Sequence, residues 1–149
     1  MMSEKIFIDT NILVYSVDRH DMAKREICRN CLRWLHHNGL GVISTQVMQE
    51  FYVTATKKLG VEPLIAKSII SSFENFEVLT VTPALIKEAI DCHIVSEISF
   101  WDALIVVSAE NAHCQSLWTE DLNDGQLIRG VRIVNPLKRR LSEPRFAGF

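Results

Sequence analysis

Short apolar runs alternate along this chain with longer segments whose apolar residues recur every three or four positions. That alternation constrains the fold more than any other feature, because strands separated by helices must lie mainly parallel in one sheet. Lys5-Ile6-Phe7-Ile8 runs straight into Asp9 and reads as a strand buried on both faces. Gly41-Val42-Ile43-Ser44, Glu77-Val78-Leu79-Thr80-Val81, Ser116-Leu117-Trp118-Thr119 and Val131-Arg132-Ile133-Val134 are the further strands. The spacing predicts an α/β fold with a parallel sheet of four or five strands and right-handed connections.

Helix signals fill the intervals. Residues 10–17 form a short helical turn. Asp21 caps a helix to about residue 37, with Ile27, Cys31 and Leu35 on one face and Gly39 and Gly41 closing it. Ser44 caps a helix over residues 45–58 whose stripe is Val47, Phe51 and Ala55, and Gly60 stops it. Pro63 opens another to about residue 75, with Ile65, Ile69 and Phe73 inward. Thr82-Pro83 opens a helix to about residue 95, and Ser99 one to about residue 112.

A chain of 149 residues with 48% hydrophobic and 23% charged residues fits one domain with a sizeable core. Residues 1–136 form that domain, and residues 137–149 form a C-terminal tail. Its basic run Lys138-Arg139-Arg140 is either a solvated end or an RNA contact. A formal net charge of −2 excludes a globally basic nucleic-acid binder, so any such contact is local. The start has no basic segment followed by a long apolar one, and no apolar run approaches the ~20 residues that span a bilayer. The expectation is a cytoplasmic protein with no membrane partner. Cys28, Cys31, Cys92 and Cys114 are expected as free thiols packed as small apolar groups. Cys28 and Cys31 make a C-x-x-C, but it sits inside a helix with no second pair to complete a zinc site.

Ligand sites of open α/β sheets lie beyond the carboxyl ends of the strands. Asp9 follows the first strand directly, and Asp121 follows the fourth by two residues. Glu50 falls on the edge of the Val47–Phe51–Ala55 stripe, where an acid can be half-buried. Asp102 opens a helix that is apolar nearly all round, so its carboxylate needs a partner. Each acid also has a plain structural role available. Asp9 could cap the next turn, Glu50 could be a boundary residue, and Ser99 and Asp102 have nearly the spacing of a capping box. Asp121 and Asp124 could shape the Asn-Asp-Gly turn. Together, four acids at successive strand-end or helix-start positions form a cluster whose charges repel unless a cation joins them. Hard divalent ions prefer such oxygen ligands, activate water and stabilise in-line attack on a phosphodiester.

These residues resemble the PIN-domain family over essentially the whole chain to about Pro136. Ile6-Phe7-Ile8-Asp9-Thr10-Asn11-Ile12-Leu13 is similar to its first strand and D-T-N motif. Gln49-Glu50-Phe51, Ser99-Phe100-Trp101-Asp102-Ala103-Leu104-Ile105 and Leu117-Trp118-Thr119-Glu120-Asp121-Leu122 resemble its second, third and fourth acidic motifs. One departure is Asp121-Leu122-Asn123-Asp124-Gly125, where many relatives carry an aromatic. The resemblance implies a three-layer α/β/α domain. It implies Mg²⁺ or Mn²⁺ bound by Asp9, Asp102 and Asp121, with Glu50 as ligand or water-positioning group and Asn11 and Thr119 in support. It further implies the activity of a VapC-like toxin ribonuclease: RNA as substrate, a small antitoxin as partner, and a homodimer.

Two phosphoryl-transfer alternatives fit less well. A haloacid-dehalogenase phosphatase needs a second Asp where Asn11 stands, and a receiver domain needs an acidic pair and a strand-end Lys. The non-enzyme alternative is a PIN-like module that holds RNA or protein without cutting.

Overall fold

The computed structural model describes residues 4–138, so most of the basic tail lies outside the described residues. In chain order the elements are β1 (Ile6–Ile8), α1 (Thr10–Tyr15), α2 (Met22–Asn38), β2 (Gly41–Ser44), α3 (Thr45–Lys57), α4 (Pro63–Phe73), β3 (Glu77–Leu79), α5 (Pro83–Ser96), α6 (Phe100–Asn111), β4 (Ser116–Trp118), β5 (Leu127–Ile128) and β6 (Val131–Val134). A 3₁₀ turn over Pro136–Lys138 follows.

The sheet has six strands in the order β3-β2-β1-β4-β6-β5, flanked by helices. All neighbours are parallel except β5 and β6. The five parallel strands β3, β2, β1, β4 and β6 match the expected parallel sheet, and an antiparallel sixth strand is added at its edge. The extra strand is the two-residue β5, which turns into β6 through Arg129 and Gly130, both at positive φ. Positive φ at both loop positions is the geometry of a tight hairpin turn, and it usually takes Asn-Gly or Asp-Gly. Arg129 is held there by the carboxylates of Glu88, at 2.6 Å, and Glu110, at 3.0 Å.

The central strands are covered on both faces. Ile6, Phe7, Ile8, Val42, Ile43, Leu117, Trp118 and Ile133 are all fully buried, as expected of a parallel sheet between helices. Val47, Phe51 and Ala55 on α3 are fully buried as their spacing predicts. On α4 the inward face differs from expectation: Ile65 is 53% exposed and Ala66 is fully buried. Ala66, Ile69, Ile70 and Phe73 follow the i, i+3, i+4, i+7 rule, and this register sets Phe73 edge-on to Phe51 at 4.9 Å.

Caps follow the sequence closely. Asp21, Ser44, Thr82 and Ser99 each accept the backbone N–H three residues on. Gly39 ends α2 at φ 65°. Gly41 does not close that helix. It begins β2, and a Cβ there would meet the Phe76 ring at 2.5 Å and Ile8 at 3.2 Å. Gly41→Ala is therefore expected to cost about 1–3 kcal/mol by overpacking, seen as a lower urea midpoint at unchanged m-value. All four cysteines are free and buried. Burial pushes the thiols of Cys28, Cys31 and Cys114 up to about 12, so they are inert apolar packing groups.

Candidate active site

Strand β1 has β2 on one side and β4 on the other, so the chain leaves it in opposite directions. That makes the carboxyl end of β1 and β4 a topological switch point, where open sheets leave a crevice. Ile8 pairs with Trp118 in the parallel register, so the residues that follow, Asp9 and Thr119, come side by side. The Asp9 N–H bonds the Trp118 carbonyl at 3.0 Å and carries the ladder one step beyond the strands.

Asp9 sits 6% exposed in this crevice. One carboxylate oxygen accepts the Thr10 N–H at 2.7 Å, which caps α1, and the other accepts the Thr119 hydroxyl at 2.8 Å. The cap role and the site role available to Asp9 therefore occupy different oxygens. Thr119 is fully buried and in turn accepts the Asn11 amide at 3.2 Å and the Asp121 N–H at 3.1 Å. Asn11 also donates to the Asp121 carboxylate at 3.0 Å. Asp9, Asn11, Thr119 and Asp121 thus form one hydrogen-bonded lattice across the ends of β1 and β4. Burial pushes Asp9 up from its ordinary 3.8 to about 7, against the lowering effect of the Thr119 and Thr10 bonds, and the charges of Asp121 and Glu50 add to the rise.

Glu50 reaches the crevice from α3. Its two oxygens are held separately, by the Thr10 hydroxyl at 2.7 Å and the Gln46 amide at 3.4 Å. Gln46 lies one helical turn before Glu50 and also donates to the Trp101 carbonyl at 3.2 Å, which ties α3 to the first turn of α6. Asp102 stands next to that carbonyl. Its N–H bonds the Ser99 hydroxyl at 3.0 Å, but the return bond of a capping box, from the Ser99 N–H to the carboxylate, does not form. Burial raises the Asp102 carboxyl and the charge of Asp121 adds to this, while the Ser99 hydroxyl opposes them.

Asp9, Glu50, Asp102 and Asp121 therefore line one cleft of about 810 Å³. Asn11 and Glu120 line it too. Asp124 does a different job: its carboxylate accepts the Asn135 N–H at 2.8 Å and ties the acidic loop to the end of β6. Sequence spacing does not point to Thr10 or Gln46 as supports of Glu50, although the four-residue step from Gln46 to Glu50 is visible. It also does not reveal the Glu120 latch. The Tyr15 hydroxyl donates to Glu120, and Lys24 reaches Glu120 at 3.4 Å while lying 4.7 Å from the Tyr15 ring centre.

The donor set is all oxygen, which suits a hard divalent ion. Among the described residues no three acidic, imidazole or thiol side chains stand close enough together to hold an ion by themselves. The buried, unpartnered Asn11 Oδ1 and Gln46 Oε1 add spare acceptors in the same region.

The PIN domain family model matches residues 6–124. No curated protein matches. Among solved structures, the chain resembles a sarcin–ricin loop cleaving VapC toxin of Mycobacterium tuberculosis at 19% identity and a TM-score of 0.65, over 78% of this chain and 90% of that one. It resembles a toxin–antitoxin complex from Klebsiella pneumoniae at 19% identity and a TM-score of 0.65, over 89% and 98%. It also resembles VapBC of Rickettsia felis bound to a promoter DNA fragment, at 19% identity and a TM-score of 0.64, over 86% and 96%. These likenesses agree with the fold, and the family match spans the first strand, the carboxylate cleft and the acidic loop: the chain belongs to the PIN-domain family.

Proposed function

We propose that this chain is a metal-dependent endoribonuclease that acts in the cytoplasm as the toxin of a type II toxin–antitoxin pair. The observation that carries the proposal is the set of four carboxylates lining one cleft at the switch point, one of them buried and held near neutrality. Support also comes from two of the similar solved structures, a sarcin–ricin loop cleaving toxin and a toxin–antitoxin complex.

In this proposal Asp9, Asp102 and Asp121 would hold Mg²⁺ or Mn²⁺ together, at least one of them through a retained water. The ion would supply a bound water of lowered pKa and positive charge against the attacked phosphate. Thr119 and Asn11 orient the Asp9 and Asp121 carboxylates. Thr10 and Gln46 fix Glu50, which then serves as a ligand or positions water at the scissile phosphate. Trp101, 61% exposed at the cleft wall, offers a flat face on which a base can stack.

The test is incubation of the purified protein with labelled RNAs in Mg²⁺, Mn²⁺ or EDTA. Internal cuts that need metal and vanish in EDTA are expected. RNA that is bound but never cut would mean a non-catalytic PIN-like module. The antitoxin is expected from a short reading frame immediately upstream. A homodimer belongs to the same proposal. Phe51 and Phe73 are core residues and cannot serve it, whereas Tyr52, Val53, Leu64 and Ile65 are exposed on α3 and α4. A strictly monomeric mass by light scattering at high concentration would remove the dimer.

A further inference from the structure

A second groove, of about 560 Å³, lies beside the carboxylate cleft, and Leu59 lines both. It is lined by the apolar Val17, Val61, Ile65 and Ile69 and by the basic Arg19, Arg25 and Arg29 with His20. Arg25 and Arg29 are one turn apart on α2, and Arg19 is in the loop before it. Among the described residues no carboxylate lies within ion-pair distance of Arg19, Arg25 or Arg29. Glu62 is on the same groove but pairs with none of them. Arg25 Nε is buried without a partner. Arg29 uses its Nε on the Ser16 carbonyl at 2.8 Å, which leaves the rest of its guanidinium fork free of hydrogen bonds to the described residues.

We infer that Arg19, Arg25 and Arg29 bind the phosphates of a single-stranded RNA that continues out of the carboxylate cleft. This rests on the ribonuclease proposal above and adds to it the path of the substrate. Charge is the first reason. The cleft is lined by Asp9, Asp18, Glu50, Asp102, Glu120 and Asp121, with Lys58 the one basic side chain among the described lining residues. A polyanion entering that cleft is repelled except where an ion neutralises it, and a chain of net charge −2 offers no general attraction. The unpaired arginines next to the cleft are the local attraction that such a substrate needs. Geometry is the second reason. One four-residue step along α2 advances ~6 Å, comparable with the spacing of neighbouring phosphates on an extended strand. Guanidinium groups match phosphate oxygens two at a time. The apolar lining residues can pack the arginine stems while their charged heads stay in water.

The test is fluorescence anisotropy of a labelled single-stranded RNA on the full chain in EDTA, over a salt series. Arg19→Gln/Arg25→Gln is expected to weaken binding at least tenfold at low salt. The slope of log affinity against log salt should fall by ~0.7 for each phosphate contact removed. Lys87→Gln on exposed α5 removes one positive charge elsewhere, as Arg19→Gln alone does here, and should change neither. Arg19 is exposed, so Arg19→Gln alone keeps the test open if the double variant does not fold. An unchanged slope in variants of a protein that itself binds and cuts RNA overturns the groove and leaves the ribonuclease intact. Normal RNA binding with lost binding of an acidic peptide makes the groove a protein-docking surface, which also overturns the inference. If the parent neither holds nor cuts RNA, both fail together.

Discussion

Asp102→Asn is expected to fold like the parent, melt at or slightly above the parent temperature without metal, and lose at least ~100-fold of its RNA cleavage. The magnitude follows because even residues supporting a metal ligand are worth roughly 10–100-fold, and a ligand itself should be worth no less. The variant separates two roles. The helix cap is Ser99, whose hydroxyl takes the Asp102 N–H at 3.0 Å, and that bond does not involve the side chain at position 102. Because the return half of the capping box does not form, an uncharged amide should cost the helix less than ~1 kcal/mol. Asp102 is pushed up by burial and by Asp121, so removing its charge relieves repulsion in the metal-free protein. What Asn cannot do is help hold a divalent ion. On the proposed function Mn²⁺ is expected to raise the melting temperature of the parent, and this gain should shrink or vanish in Asp102→Asn. If the variant keeps full metal-dependent cleavage, the four-carboxylate mechanism is wrong.

The parts legible from sequence are those decided locally. Ser44, Thr82 and Ser99 precede apolar helix patterns, and each caps as its residue type allows. The buried β1 run ends at Asp9 because the next N–H needs a capping oxygen, and the Asp9 carboxylate supplies it. What escapes the sequence is decided by distant contacts. β5 is two residues long and turns through Arg129, whose unfavourable φ of 50° is offset by carboxylates on α5 and α6. The α4 sequence holds two overlapping apolar stripes that share Ile69 and Phe73, and the fold buries the one with Ala66 and leaves Ile65 outside. Gly41 looks like a helix stop until the Phe76 ring is seen beside it.

The candidate site divides in the same way. Its four acids are visible one by one as strand-end and helix-start residues, and the topology brings them to one cleft. Their supports are not visible. Thr10 reaches Glu50 across 40 positions, and Thr119 reaches Asp9 across 110. No local pattern encodes such a bond. It follows from the register that sets Ile8 against Trp118 and from α3 beginning directly after β2.

The other large effect is expected at Asp9, and its signature is a slope against pH. Asp9 has its carboxyl raised from an ordinary 3.8 to about 7, chiefly by burial. A carboxyl raised on folding binds its proton more tightly in the native state than in the unfolded chain. Its contribution to stability is therefore fully present below about pH 4, is lost as pH rises, and is gone above about pH 7. The loss across that window is about 4 kcal/mol at most, since each tenfold difference in proton affinity between the two states is worth about 1.4 kcal/mol. Asp9→Asn cannot ionise, so its stability should lack this fall. Its amide can still accept the Thr10 N–H. Its NH₂ group, however, would face the Thr119 hydroxyl that now donates to Asp9, a cost of about 1 kcal/mol that does not change with pH. Urea unfolding of metal-free parent and variant between pH 4 and 8 should thus show the variant slightly weaker at the acid end and clearly stronger at the alkaline end. Mn²⁺ should reverse the order at pH 8, because only the parent gains from an ion held by Asp9. Cleavage by Asp9→Asn should be lost at every pH. Parallel stability curves for the two proteins from pH 4 to 8 would mean that Asp9 ionises freely in the fold, and the electrostatic basis for a cation at the end of β1 would be gone.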